Sequence, residues 1–284
     1  MKRIMVSILV CLAALSLQAQ VSDGDGHWAM RAEGHQGARG MAIQIDAAMN
    51  AYRNAVKQDP NDLEARWKLL RAMRFKGSYV VSGTDAKKPV FAEAKKLGEE
   101  SMVIVNRLLA AKGVKSVDKA SEKQVADVAR AIPNAGEVIY WDAVADGEWA
   151  IIFGKMAAVR AGMADRIKRE STIVMMIDPK IENGGGARVL GRLHNQTPHV
   201  PFITGWASDL MAVKYLKQSL AQDPTNKLTK VFLAEAMKAS NSDTKPQAVQ
   251  MLKEVINSPN DPNYLVEQLT ATEDAKALLK QWGA

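Results

Sequence analysis

Apolar residues recur along this chain at intervals of three and four, and nowhere do they alternate with the strict period of two that a sheet requires. In AAMNAYRNAVKQDPND, small residues at Ala48 and Ala55 flank the bulky Tyr52, and Asp59-Pro60 closes the segment. The same spacing returns in MAVKYLKQSLAQDPTN, with Ala212, Leu216, Ser219 and Pro224. Small residues let one helix settle against its neighbour, the bulky one fills the hollow beside them, and proline cannot continue the helix. Each segment reads as the second helix of a hairpin.

Other helices follow by the same reading. HWAMRAEGHQG supplies a short first helix, and Asn61 and Asp62 stand ready to cap LEARWKLLRAMRFKGSYVV. GTDAKKP breaks that helix and opens VFAEAKKLGEESMVIVNRLLAAKG, with Gly113 as its stop. SEKQVADVARAI, GEVIYWDAVADGEWAIIFGK and VRAGMADRIKRESTIVMMIDPK come next, the last ending again in Asp-Pro. ENGGGARVLGRLHNQTPHVPFITGW then holds three consecutive glycines, a short helix and two bracketing prolines. Two plain hairpins finish the chain. The expected fold is all-α, with tetratricopeptide-like stacked helical hairpins in a compact α-α superhelix.

Lys2 and Arg3 precede an apolar run from Ile4 to Leu17, and Ala19 offers a cleavage point. That pattern reads as a secretory signal peptide over 1–19, followed by a flexible tether over 20–26 (VSDGDG with its flanking Gln20) and one helical domain over 27–284. The run is too short for a comfortable membrane span. Cys11, the one cysteine, lies inside it with Val10 before it, so lipid anchoring is not expected. A mature chain without cysteine has neither disulfides nor thiol chemistry. Lys2 and Arg3 account for two of the formal charges in +7, leaving +5 spread among acidic residues on helix faces. No basic block interleaved with aromatics appears, and no nucleic-acid partner is expected.

Candidate chemistry is sparse. NGGGARVLG has no strand before it and no Lys-Ser or Lys-Thr after it, and Val189 stands where a nucleotide loop needs its last glycine. A close approach of helices explains the glycines better. His27, His35, His194 and His199 are badly spaced for a metal site, so no metal and no cofactor are expected. GxSxG and HExxH patterns are missing, and the expectation is a non-enzyme. A hydrolase would have nothing more to rest on than His194 near Arg188 and Arg192.

Tyr140, Trp141, Trp149 and Trp206 read either as core aromatics or as the walls of a pocket. With Arg188, Arg192 and His194 close in sequence, such a pocket would suit an amphipathic anion, and Met175 and Met176 could line adaptable apolar space beside it.

Over residues 136–240 the chain resembles the T component of tetratricopeptide-repeat-associated TRAP transporters. The resemblance rests on Tyr140-Trp141, Gly184 to Gly186, Leu190-Gly191, Pro198 and the helix from Ala212 through Pro224. It implies a periplasmic, non-catalytic helical protein whose partner is the solute-binding protein of the uptake system and whose ligand is a small organic acid, hydrophobic acids included. Many members of that family look like lipoproteins, whereas this chain lacks a usable lipobox around Cys11, a departure that favours a soluble periplasmic form here. A general envelope scaffold taking a peptide or protein in its groove is the alternative, and self-association as a homo-oligomer stays open.

Overall fold

The computed structural model describes residues 18–284, so the expected signal peptide lies almost wholly outside the described residues. The fold is all-α, a stack of helical hairpins with no strand among the described residues. The helices are α1 (18–29), α2 (Ala42–Gln58), α3 (Leu63–Phe75), α4 (Thr84–Ala111), α5 (Glu122–Ala129), α6 (Ala135–Phe153) and α7 (Lys155–Arg160). They continue with α8 (Met163–Ile177), α9 (Gly185–Gln196), α10 (Asp209–Gln222), α11 (Lys227–Ser240), α12 (Lys245–Asn257) and α13 (Leu265–Trp282). No described helix is long and apolar enough to cross a membrane.

Local chemistry sets the ends. Asp62 caps α3 by accepting the N–H groups of Glu64 and Ala65 at 2.8 and 3.2 Å. Ser121 and Gln124 close a capping box on α5, and Asn226 accepts from the Thr229 N–H at 3.0 Å to start α11. The three Asp-Pro terminators act alike. Asp59, Asp178 and Asp223 end α2, α8 and α10, and each carboxylate accepts the N–H two residues on, from Asn61, Lys180 and Thr225. Extended backbone at the aspartate and a proline without an N–H then turn the chain toward the next helix.

Both small-bulky-small triplets pack as the spacing predicts. Ala48, Tyr52 and Ala55 are buried, as are Ala212, Leu216 and Ser219. One apolar cluster joins α1 to α6 and α8, and a second joins α10 to α13. Val266 of α13 belongs to the first cluster, so the last helix returns to the beginning of the chain. Arg31 pairs with Glu267 at 2.8 Å, and the Thr270 hydroxyl donates to the Ala38 carbonyl at 3.1 Å. The array closes into a ring.

Two expectations are corrected. Residues 20–26 are not a tether: they lie inside α1, with Val21 buried and Gly24 under the Tyr52 ring, where a Cβ would come within 2.4 Å. The Tyr52 hydroxyl donates to Asp25 at 2.8 Å, and Lys68 reaches the same carboxylate at 2.7 Å. The first helix therefore precedes the HWAMRAEGHQG segment, most of which forms turns. The second correction concerns α4, which begins at Thr84 and carries Pro89 inside it. Near a helix start the missing N–H sacrifices one early hydrogen bond rather than the helix.

Candidate functional site

Ring closure leaves a cavity of about 420 Å³ between α3, α6, α9, α11 and α13, within the ordinary size of a small-molecule site. Successive helices contribute positions one turn apart: Arg71, Arg74 and Phe75 from α3, then Tyr140, Trp141, Val144, Glu148 and Ile151 from α6. Arg188 and Arg192 come from α9, Phe232 from α11 and Glu267 from α13. Trp28, Tyr79 and Tyr264 complete an aromatic lining. Apolar surface dominates, and the polar groups on it are mainly guanidiniums and carboxylates.

Trp141 is nearly buried and donates its indole N–H to Glu182 at 3.2 Å, with Tyr140 edge-on at 5.0 Å between ring centres. The Tyr140 hydroxyl lies 3.4 Å from Arg188. Burial raises the ionisation of that phenol, so it stays neutral, although the charge of Arg188 opposes the shift. Arg188 itself donates to the main-chain carbonyls of Glu182 and Asn183 at 2.9 and 3.3 Å, and no carboxylate among the described residues pairs with it. Arg192 is neutralised by Glu235 at 2.5 Å and lies 4.1 Å over the Phe232 ring. Arg74 is held by Glu148 at 3.2 Å and by the Tyr79 hydroxyl at 2.6 Å.

Four of the seven residues singled out in the sequence thus share one wall: Tyr140, Trp141, Arg188 and Arg192. The other three do not line the cavity. Trp149 stacks on Phe153 at 4.7 Å, beside Lys95. Trp206 donates to Asp165 at 2.8 Å beneath the Lys168 ammonium. His194 is buried between Trp206 and Tyr215, and its Nδ1 accepts the Ser208 N–H at 3.3 Å, tying α9 to the start of α10. Burial, helped by the Lys168 charge, pulls its ionisation down to about 4. The ring packs against α10 and does not line the cavity with Arg188. Met175 packs on Gly186 and Met176 faces outward, so neither borders the cavity.

The glycine run serves close packing. A Cβ on Gly185 would sit 2.5 Å from the Tyr140 ring, one on Gly186 3.1 Å from the Ser171 carbonyl, and one on Gly191 2.4 Å from Leu216 Cγ. Those approaches seat α9 against α6, α8 and α10 and so aim Arg188 inward. Sequence reasoning missed Arg71, Arg74, Trp28, Phe75 and Tyr79. The available signal was two arginines spaced i and i+3 within the apolar face of LLRAMRF.

Among the described residues, no cluster of histidine, cysteine or carboxylate side chains is arranged to hold a metal ion. At the rim, Thr197 and Pro198 lead into a loop whose tip, Phe202, is fully exposed with φ of 65°, beside the half-exposed Ile203.

No family model matches the chain, and no curated protein matches its sequence. Among solved structures, the TPR2AB-domain:pHSP90-complex of yeast Sti1 is similar at 13% identity, over 92% of this chain and 98% of that one, with a TM-score of 0.28. A superposition that loose carries neither site nor partner across.

Proposed function

We propose that this chain is a non-enzymatic binding protein that holds a small amphipathic organic acid in its central cavity. We further propose that it acts beside a periplasmic solute-binding protein, as the T component of a TRAP-type uptake system. The observation that carries the ligand reading is the cavity wall, where aromatic rings surround guanidiniums and two of these, Arg71 and Arg188, have no carboxylate partner among the described residues. Apolar walls with a few fixed polar groups are how small-molecule sites are built. The resemblance over residues 136–240 supports the narrower assignment to an uptake system.

A second reading, a general envelope scaffold that grips a peptide or protein, is favoured by one feature. Phe202 is held fully exposed in the left-handed region, a conformation that costs on the order of 1 kcal/mol or more for a non-glycine residue. Exposed aromatics of this kind anchor protein interfaces.

Affinity purification of the tagged chain from a periplasmic extract at native salt separates the two. The uptake reading predicts co-elution with a TRAP solute-binding protein, identified by mass spectrometry, and release of an organic acid on denaturing the eluate. Recovery of an envelope protein of another kind, with no small molecule released, would favour the scaffold.

A further inference from the structure

Most charges on the cavity wall are already answered. Glu148 meets Arg74, Glu235 meets Arg192, Glu267 meets Arg31, and main-chain carbonyls hold Arg188. Arg71 is the exception. Its guanidinium lies 4.0 Å from the centre of the Trp28 ring and 4.8 Å from that of Trp67, and its Nε is buried with no acceptor. Its one polar partner is the Tyr52 hydroxyl, which accepts from the guanidinium while donating to Asp25. Among the described residues no carboxylate and no carbonyl bonds to Arg71.

Ring stacking answers only the faces of a guanidinium. The N–H donors lie in its plane, those not turned to Tyr52 have no protein acceptor, and that planar fork is the geometry that grips a carboxylate through two parallel hydrogen bonds. A leucine between the same two tryptophans would fill the space without desolvating a charge. Placing a cation with no carboxylate bonded to it there makes sense if something else supplies the anion.

We propose that Arg71 takes the carboxylate of the cavity's ligand, and that the ligand is a mono-anionic acid with an apolar body; this rests on reading the cavity as a ligand site. One negative charge is what the wall can accept. Glu148, Glu182, Glu267 and Asp274 also border the space, and a second carboxylate on the ligand would face them. Burial, with the charge of Glu235 second, already raises the ionisation of Asp274. The apolar body lies along Phe75, Val144, Ile151 and Ile167.

Octanoate and octanamide share a tail and differ in charge, which makes them the probes. Each is titrated against the parent chain, Arg71→Gln and Arg71→Lys by calorimetry and tryptophan fluorescence, with thermal melts confirming that the variants fold. The parent is expected to bind octanoate at least about tenfold more tightly than octanamide. Arg71→Gln should erase that preference by weakening octanoate alone, and Arg71→Lys, which keeps the charge but not the fork, should retain part of it. If Arg71→Gln does not fold, Arg71→Lys decides: a full preference there overturns the assignment. Undiminished preference in Arg71→Gln, or equal weakening of both probes, also overturns it. A parent that binds both probes equally removes the role of Arg71 and leaves the cavity reading standing. A parent that binds neither removes both.

Discussion

Truncating Leu216 to alanine should lower stability by about 3 kcal/mol, as for other large-to-small changes in a packed core. The side chain is fully buried between Ala212 and Ser219, and a Cβ on Gly191 would stand 2.4 Å from its Cγ. Helix α9 thus touches α10 with no slack. The contact is pinned again at Gly184, where a Cβ would lie 2.8 Å from the Ser219 carbonyl. Two backbones fixed at both ends cannot close over the missing methyl groups, so a void remains. Gly191→Ala alone should cost about 1–3 kcal/mol through overpacking. In the Leu216→Ala background its methyl enters the void, and part of the loss should return. Denaturant melts of both single variants and the double variant measure that coupling. Losses that simply add would mean the helices are not in the close contact described.

Asp142→Asn should stabilise the protein at alkaline pH. Asp142, Asp146 and Glu170 are buried between α4, α6 and α8, and among them only Asp146 has a guanidinium, from Arg166, bonded to it. Asp142 Oδ1 and Glu170 Oε2 are buried without a hydrogen-bond partner, and Gly98 of α4 closes over Asp142. Lys95 and Glu99 of α4 are the other charges facing the group. Burial, reinforced by the charge of Asp146, pushes Asp142 up to about 7; burial and the charge of Asp142 raise Glu170 well above the usual range.

A carboxyl raised in this way holds a proton in the folded chain that the unfolded chain has already released. Its contribution is fully present below pH about 4 and drains away as the pH climbs to about 7. One such group can drain on the order of 4 kcal/mol across that window, as an upper bound. The asparagine does not titrate. Its melting temperature at pH 8 should exceed the parent's by roughly 5 °C, with the gap narrowing toward pH 4. A lower melting temperature at pH 8 would contradict the buried, proton-holding state.

The helical class, the Asp-Pro terminators and the small-bulky-small triplets were legible because each is a local rule written within a few turns. Tyr140, Trp141, Arg188 and Arg192 were legible for the same reason: 188 and 192 are one turn apart on a single face. Helical rotation explains the residues that went astray. His194 is two positions past Arg192, about 200° around the helix, and therefore packs against α10 instead of the cavity. Trp149 is one position beyond Glu148, about 100° off the cavity face.

Tertiary contact overrode local preference at 20–26. Two glycines and two aspartates there signal a turn, yet the Tyr52 ring over Gly24 and the bonds to Asp25 hold a helix. The closing of the ring left no trace in the sequence at all. Arg31 and Glu267 meet from opposite ends of the chain, and no periodic pattern encodes that encounter. Arg71 was hidden for a related reason, since its surroundings are assembled from Trp28 on α1 and Trp67 on α3.

The central claim is that the space between α3, α6, α9, α11 and α13 is a ligand site. Native mass spectrometry of the chain with octanoate, compared with Val144→Trp, tests it most directly, because Val144 borders the cavity and an indole there would fill it. The parent is predicted to carry one octanoate and the filled variant none, with its thermal melt unchanged. Equal loading of parent and variant would place the ligand elsewhere and contradict the account.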